Sequence, residues 1–273
     1  MMTTPASTQT PALDTATTAL YAAETRPVFP HRDAGGRWPA PTARPDYDAE
    51  QEGTWQLLWS RQVPNLQRHA VAAFHEGLAH CGFSADAIPS LPALSERLYQ
   101  ATGWRLVRVE GLVPERPFFE MVRERCFPCT DFIRRREDLD YTPAPDLFHD
   151  QFGHVPLLTL PAFARFFERF GVAGCNADDQ GAVELARIYW FTVEFGLMRE
   201  AGERRAFGAG LMSSIGELHH GMSERVDVHP LDFEAVAARP FVTTEIQTDY
   251  YEIESFESLE QGFEAFARKR GWL

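Results

Sequence analysis

Residues 145–158 read Pro-Asp-Leu-Phe-His-Asp-Gln-Phe-Gly-His-Val-Pro-Leu-Leu, and this stretch decides how the rest of the chain is interpreted. It contains His149 and His154, and Glu194 follows inside the apolar run Ile-Tyr-Trp-Phe-Thr-Val-Glu-Phe-Gly-Leu-Met. Two imidazoles and one carboxylate are the ligand set of a non-haem Fe(II) facial triad, which leaves coordination positions open for other ligands. The sequence therefore predicts an iron site built from these three residues.

The spacing of the two histidines constrains the local fold. Residues five apart on a regular α-helix are separated by about 140° around the axis, so they cannot both face one metal ion. Pro145 marks a helix start, and Gly153 and Pro156 mark an end. We therefore predict that the helix ends near Gly153 and that His154 turns back from a cap or loop. The spacing also differs from the H-E-x-x-H motif of zinc hydrolases.

The apolar neighbours of Glu194 predict a carboxylate that is partly buried. An unpaired buried charge costs on the order of several kcal/mol, so it needs a cation or strong hydrogen bonds. A metal ion would supply the cation. A helix-surface position, or an ion pair with Arg187 or Arg199, would also explain a lone glutamate. The motif around the two histidines favours the metal.

The remaining pattern predicts a mainly α fold with a minor β element. Residues 1–46 are rich in Thr, Ala and Pro, which predicts a disordered or loosely packed extension before a domain over 47–273. Helical spacing is found over 54–80 (split at Pro64), 92–102, 145–152, 161–170, 181–202, 231–238 and 258–269. Strand-like patterns are found over 104–113 and 241–251, and residues 118–126 fit a short helix or an extended segment.

Composition excludes several classes of protein. The net charge of −13 argues against a general nucleic-acid binder, because phosphate contacts need clustered Lys and Arg. No run of 18 apolar residues is present, and the N-terminus lacks the pattern of a signal peptide. A cytoplasmic location is the resulting expectation.

The pair Cys126 and Cys129 has no second cysteine pair or histidine pair at the spacing of a zinc site. Pro128 lies between them, which is unlike a redox motif at a helix start. We expect packing residues in a reducing compartment. Structural roles are also expected for His75, His80, His219, His220 and His229.

Four motifs together resemble the pterin-dependent aromatic amino acid hydroxylases, most closely their compact bacterial members that act on phenylalanine. The matching segments are 141–158, 188–197, 207–218 and 250–256, within a similarity that spans 47–265. The resemblance implies a single compact catalytic domain that uses Fe(II) and tetrahydrobiopterin or a related tetrahydropterin. The implied reaction is hydroxylation of L-phenylalanine to L-tyrosine with O2.

The resemblance also implies residue roles. Fe(II) would be held by the catalytic residues His149, His154 and Glu194, and Arg134 would receive the substrate carboxylate, for which guanidinium is a bidentate partner. The other implied substrate residues are Thr142, Pro145, Trp190, Gly210 and Ser213. The implied pterin residues are Gly111, Val113, Phe118 and Asp150. Tyr189 and Phe195 flank the metal-binding residues.

Some positions depart from the family pattern. Asp150 stands where animal members have Glu, Pro128 stands where they have His, and Gln151 replaces an aliphatic residue. The chain has no room for an N-terminal regulatory domain and lacks a long tetramerisation helix, so a monomer is expected. The expected partners are small molecules, without nucleic acid or membrane.

Three alternative functions stay open at this point. A tryptophan hydroxylase of the same family would differ only in details of the ring pocket. A zinc hydrolase could use the same three ligands but would take up no oxygen. A non-catalytic metal-binding or interaction protein would leave Arg134, Phe118 and Ser213 without a purpose.

Overall fold

Helices dominate the structure, a computed structural model that describes residues 30–140, 145–243 and 245–273. The first elements are α1 (Ala49–His69), α2 (Ala72–Cys81), α3 (Leu91–Thr102), β1 (Arg105–Arg108), α4 (Glu115–Arg123) and β2 (Cys126–Cys129). The central elements are the π-helix π1 (Phe148–His154), α5 (Val155–Leu158), α6 (Pro161–Asn176), α7 (Asp179–Tyr189) and the π-helix π2 (Trp190–Glu194). The last are β3 (Leu197–Glu200), β4 (Glu203–Ala206), α8 (Ala209–Ser213), α9 (Ile215–Gly221), β5 (Asp227–Pro230), α10 (Phe233–Ala238), β6 (Asp249–Ile253) and α11 (Phe256–Lys269). The predicted mainly α fold with a minor β element is confirmed.

Two small sheets supply the β element. Strands β1 and β2 pair in parallel, and the other sheet has the order β4-β3-β6-β5. Strands β3 and β4 form an antiparallel hairpin, while β6 runs parallel to both β3 and β5. The second sheet joins segments that are distant in sequence, and it places the loop before β6 beside π2 through contacts of Trp190.

The predicted split of the first helix at Pro64 is wrong. Helix α1 continues through Pro64, and the chain leaves the helix only at Ala70, whose backbone is extended. The amide of the next residue, Val71, donates to the carbonyl of Ala206 at 3.0 Å. The break therefore lies where the chain is bound to the end of β4, because a tertiary hydrogen bond replaces the helical one.

The predicted helix over 181–202 is wrong in its C-terminal part. The helical segment ends at Glu194, and β3 begins three residues later at Leu197. Leu197 is fully buried and Met198 nearly so, and the segment pairs with β4 and β6. Pairing partners that are distant in sequence overrode a helical pattern that was locally plausible.

Both predicted strands are shorter than expected. The segment 104–113 forms a strand only over β1, and the segment 241–251 only from Asp249 onward. Phe241 instead stacks on Trp190, which holds the preceding segment as a loop. Thr244 lies outside the described residues. The segment 118–126 proves to be the end of α4 and the start of β2.

An aromatic core surrounds the segment 145–158. Phe148 and Phe152 of π1 are fully buried and stack on each other with ring centroids 4.5 Å apart. Trp55 of α1 meets both rings edge-on, and Phe74 of α2 meets Phe152. Burial of such large rings stabilises the fold strongly, so one face of π1 is fixed in the core.

The four cysteines are free thiols in the structure. Cys126 and Cys129 lie at opposite ends of β2, opposite Arg105 and Arg108 of β1. Burial raises the pKa of the Cys126 thiol to about 11, and it raises that of Cys129 as well. Both side chains are therefore protonated packing groups at neutral pH.

Residues 30–46 carry no helix or strand but contact the rest of the protein. The guanidinium of Arg32 lies 4.1 Å from the ring centre of Trp38 and pairs with Glu124 of the α4 end at 2.7 Å. The expected boundary at residue 47 stays a prediction, since residues 1–29 lie outside the described residues. Among the helices that are described, none combines the length and the apolar character that crossing a membrane would require.

Candidate metal centre

The three predicted metal ligands converge. Nε2 of His149 and Nε2 of His154 lie 3.0 Å apart. The Glu194 carboxylate lies 3.2 Å from His154 Nε2 through Oε1 and 3.5 Å from His149 Nε2 through Oε2. The two histidines come from π1, and the glutamate is the last residue of π2. Two short π-helical segments therefore supply the whole ligand set.

The π-helix resolves the spacing of the histidines. The sequence predicted a helix that ends near Gly153, and this is wrong, because π1 runs through Gly153 to His154 and continues into α5. Hydrogen bonds in a π-helix run from residue i to i+5, so residues five apart are one turn apart. His149 and His154 therefore share a face, while Phe148 and Phe152 stay in the core.

The hydroxyl of Ser213 determines which nitrogen of His149 carries the proton. Ser213 Oγ donates to the carbonyl of Ala209 at 2.8 Å, so the same oxygen acts as acceptor toward His149 Nδ1 at 2.9 Å. This network assigns the proton to Nδ1. Nε2 is then left with a free lone pair directed at His154 and Glu194. A partner that fixes the tautomer in this way is a common feature of metal-binding histidines.

Glu194 is partly buried as predicted, with 12% of its side chain exposed. Burial acts to raise the pKa of its carboxyl, but His154 and His149 outweigh burial and hold the pKa well below the usual range. Burial likewise acts to lower the pKa of His149, but Glu194 outweighs it and the pKa is raised. The two arginines that could have paired with Glu194 have other partners: Arg187 donates to Ala237, and Arg199 pairs with Glu252.

This donor set fits a divalent cation. One nitrogen from each histidine and one carboxylate oxygen lie within 4.8 Å of one another, and they form the only such group among the residues the structure describes. Two neutral imidazoles and an ionised carboxylate match the non-haem iron triad in type and number. Three other histidines are hydrogen-bonded to protein groups, His75 to Leu66, His219 to Asn65 and His220 to Gln247.

Arg134 is almost fully buried and is linked through Asp146 to the backbone of His149. Its Nε and Nη2 donate to the two carboxylate oxygens of Asp146 at 2.9 and 2.8 Å, and its backbone amide donates to the same carboxylate. The pair uses two of the five guanidinium N–H donors, so others remain for a second carboxylate. The prediction that Arg134 binds a substrate carboxylate stays a prediction.

Asp146 is a residue that the sequence interpretation missed. One oxygen accepts from the backbone amide of His149 at 3.1 Å, in addition to the guanidinium of Arg134. Asp146 is completely buried and thus joins the first metal ligand to Arg134. An aspartate directly after Pro145, at a predicted helix start, is the capping signal that could have identified it.

An aromatic surface extends from His154. The ring of Tyr189 lies 6.3 Å from that of His154 and meets Phe118 of α4 edge-on at 5.6 Å. Phe118 is half-buried and thus keeps part of its ring accessible. The structure therefore brings the predicted pterin-stacking residue into the neighbourhood of the metal ligands. Gly111 and Val113 lie in the loop between β1 and α4, also partly accessible.

Three other predicted site residues lie on π1, on π2 or just before π1. Asp150 is buried and accepts from the backbone amide of Thr130 at 2.8 Å, and burial raises its pKa. Trp190 begins π2, and its indole lies 4.6 Å from the ring of Phe195. Pro145 is half-buried just before π1. Thr142 lies outside the described residues.

Close backbone contact holds α8 against Glu194. A Cβ atom on Gly208 would lie 2.3 Å from the carbonyl oxygen of Glu194, which is closer than real Cβ atoms come to any atom. A Cβ on Gly210 would lie 2.8 Å from the ring of Phe195 and 3.1 Å from the same carbonyl. Gly210 therefore permits the approach that brings Ser213 to His149, and its role does not depend on a side chain.

Comparison with known proteins agrees with this geometry. The family model described as biopterin-dependent aromatic amino acid hydroxylase matches residues 23–270. The chain belongs to the biopterin-dependent aromatic amino acid hydroxylases. Within this family it is 39% identical over 223 residues to the phenylalanine-4-hydroxylase of Mesorhizobium japonicum, with 80% of each chain covered. It is also 40% identical over 229 residues to that of Ralstonia nicotianae, with 80% of this chain and 73% of the relative covered.

A solved structure supports both the hydroxylase fold and its metal. The chain is similar to phenylalanine hydroxylase of Chromobacterium violaceum with bound Fe(III), at a TM-score of 0.77 and 37% identity. The alignment covers 82% of this chain and 84% of that one. Members of this hydroxylase family use iron and a biopterin, and the cluster of His149, His154 and Glu194 is the site where this chain can hold the iron.

Proposed function

We propose that this chain is a phenylalanine 4-monooxygenase, which converts L-phenylalanine to L-tyrosine with O2, iron and a tetrahydropterin. The observation that carries the proposal is the convergence of the two Nε2 atoms and the Glu194 carboxylate within a hydroxylase fold. The similarity to bacterial phenylalanine-4-hydroxylases over 80% of the chain supports phenylalanine as the substrate. When bound, iron and the reduced pterin together supply the activation of O2.

The protein's own residues bind and orient the reactants. Arg134 is held by Asp146 in a fixed orientation, from which its remaining N–H donors bind the substrate carboxylate. The family resemblance assigns Trp190 and Pro145 to the ring pocket. It assigns Thr142 and Ser213 to the polar end of the amino acid, with Gly210 on the same segment as Ser213. Apolar walls exclude water and position the ring, which is the main contribution that the protein makes to such a reaction.

The pterin is assigned to the aromatic surface formed by Phe118 and Tyr189, next to His154. Phe118 offers a partly accessible ring for stacking, and Tyr189 links this ring to the metal ligand. Gly111 and Val113 border the same region in the loop before α4, and Asp150 contributes a buried carboxyl between the two histidines. A cytoplasmic monomer over residues 47–273 remains part of this proposal.

The direct test is tyrosine formation from phenylalanine in the presence of Fe(II), O2 and a tetrahydropterin. We expect one tyrosine per pterin oxidised, and a lower kcat/KM for tryptophan in the same assay. Oxygen uptake separates this function from a zinc hydrolase. Greater turnover of tryptophan would replace the substrate assignment, and turnover that survives complete iron removal would overturn the metal assignment.

Removal of one ligand tests the site itself. Glu194→Ala should abolish stoichiometric iron binding and activity, because two imidazoles alone leave the ion without its anionic ligand. Glu200→Ala on β3 is a matched control, since this carboxylate contacts only the backbone amide of Ala72 among the described residues. Iron content per chain after reconstitution is the measurement, and a full equivalent bound to the Glu194 variant would contradict the assignment.

A further inference from the structure

One directional hydrogen bond fixes the indole of Trp190. Its Nε1–H donates to Oε1 of Gln247 at 2.7 Å. The ring also stacks on Phe241, with centroids 4.5 Å apart and an interplanar angle of 12°, and it contacts Phe195. Stacking restrains the plane of a ring but permits sliding and rotation within that plane, whereas a hydrogen bond selects one edge. Gln247 therefore determines which edge of the indole faces away from it.

Gln247 is itself held by α9. Its main-chain carbonyl is bonded to Nε2 of His220 at 3.0 Å. The residue lies in the loop two positions before β6, whose Tyr250 is completely buried. The backbone of Gln247 is thus held by His220, close to a strand that is anchored in the core through Tyr250.

Three buried polar atoms accompany this contact. Nε2 of Gln247, the hydroxyl of Tyr250 and Oε2 of Glu217 have no hydrogen-bond partner of regular geometry among the described residues. Burial raises the pKa of Tyr250, Glu217 raises it further and Gln247 lowers it, which shows that the three side chains lie together. A buried polar atom without a partner is costly. The Gln247 amide therefore faces this buried polar group through Nε2 and the Trp190 indole through Oε1.

The segment 209–221, which includes α8 and α9, also contacts a metal ligand. Ser213 of α8 is bonded to His149, and four residues later Glu217 of α9 lies beside Tyr250. His220, one turn further, holds Gln247. The segment 209–221 thus joins the ligand shell to the side chain that orients Trp190.

We propose that Gln247 is a positioning residue for the aromatic ring of the substrate, acting through the indole of Trp190. The inference rests on the proposed function, in which Trp190 is a wall of the ring pocket. Loss of the Gln247 acceptor leaves the indole stacked but able to shift within the stack by small changes of its side-chain torsions. The substrate ring is then held less closely, while the metal and the pterin are unaffected.

The first experiment tests the contact without relying on activity. In protein with 15N-labelled tryptophan, the Trp190→Phe variant identifies the indole N–H signal of Trp190 among the six tryptophans. Gln247→Met should make exchange of this one proton with solvent at least about tenfold faster, since its acceptor is lost. Thr248→Val, which alters an exposed neighbour in the same loop, should leave it unchanged. Unchanged exchange in Gln247→Met would overturn the inference.

The second experiment measures the consequence for the reaction. Gln247→Met should raise KM for phenylalanine by about two- to tenfold, the range expected for one hydrogen bond, and reduce the tyrosine formed per pterin oxidised. KM for the pterin and iron content should stay at the wild-type values. In the Trp190→Phe background, Gln247→Met should change KM for phenylalanine by less than about twofold, because the donor is already absent.

The two experiments separate the possible failures. Additive effects of the two substitutions would show that Gln247 does not act through Trp190 and would overturn the inference. A fall in thermal stability with wild-type kinetics would do the same. A wild-type chain that forms no tyrosine would overturn the proposed function, and the exchange measurement would still decide whether Gln247 fixes Trp190.

Discussion

At the scale of single residues, the Ser213 hydroxyl has a defined effect on the metal centre. It accepts from Nδ1 of His149 and thereby keeps Nε2 available as a ligand. Ser213→Ala should therefore weaken iron binding by about 10- to 100-fold, the usual cost of losing such a partner. Competition with a chelator measures the affinity. Ser60→Ala, which removes an exposed hydroxyl bonded to Leu57, should have no effect, and wild-type affinity in the Ser213 variant would contradict the role.

Arg134 carries a second prediction at this scale. Arg134→Lys keeps the charge but loses the fork that reaches two carboxylates at once. We expect KM for phenylalanine to rise by about tenfold or more, because a charge-assisted hydrogen bond contributes roughly 1.5–3 kcal/mol. Iron content should be unchanged. Steady-state kinetics with iron-loaded protein provide the measurement, and unchanged kinetics would remove Arg134 from the substrate site.

At the scale of elements, the two π-helices are the decisive departure from regular structure. A sequence pattern identifies the apolar face of π1, since Phe148 and Phe152 are four apart as in any helix. The sequence pattern does not identify a π-helix. The wider turn of a π-helix is stabilised by tertiary contacts and not by the local propensity of its residues. The sequence therefore predicted that the helix must be irregular near Gly153 but assigned the wrong irregularity.

The contact between α8 and the end of π2 allows a test at this scale. Gly208→Ala should destabilise the protein and weaken iron binding, because the new Cβ meets the carbonyl of Glu194 at 2.3 Å and must displace it. A clash of this kind typically costs about 1–3 kcal/mol or more. Thermal unfolding and iron content are the measurements.

Gly216→Ala is the matched control for this substitution. A Cβ on Gly216, in α9, meets nothing within 4 Å, so alanine should be neutral or stabilise the helix by up to about 1 kcal/mol. Equal melting temperatures for the two variants would show that the close approach of α8 does not matter.

At the scale of the whole molecule, one buried carboxyl makes stability depend on pH. Burial raises the pKa of Glu217 to about 7. Below the pKa of the unfolded chain, near 4.5, the carboxyl is neutral in both states, and the folded protein has its full stability. As the pH rises from 4.5 towards about 7, the unfolded state ionises this carboxyl while the folded state keeps it protonated, so the free energy of unfolding falls, and the loss is complete once the folded state ionises above about 7.

The expected size of this effect is modest. A fully enclosed carboxyl with this shift would change the free energy of unfolding by about 3 kcal/mol, and partial exposure reduces this to roughly half. Glu217→Gln should flatten the dependence between pH 4.5 and about 7, measured by denaturant unfolding at each pH. The same slope in the variant and the wild type would exclude Glu217 as its source.

The sequence by itself determined the chemistry. Residue type alone supplies two imidazoles and one carboxylate, and the order of the motifs identifies the family, because the donor atoms of a side chain do not depend on the fold. Burial of Glu194 was also predictable, since the apolar residues around it in the chain remain its neighbours. The mainly α fold followed from helical periodicity in the same way.

The tertiary structure decided where these atoms meet. The convergence of His149, His154 and Glu194 depends on π-helices held by an aromatic core, and on α8 approaching Glu194 through Gly208. The contacts of Asp146 with Arg134 and of Gln247 with Trp190 join residues that are 12 and 57 positions apart in the chain, so only the tertiary structure shows them. Such contacts leave no local periodic signal, because their energy comes from partners that the nearby sequence does not contain.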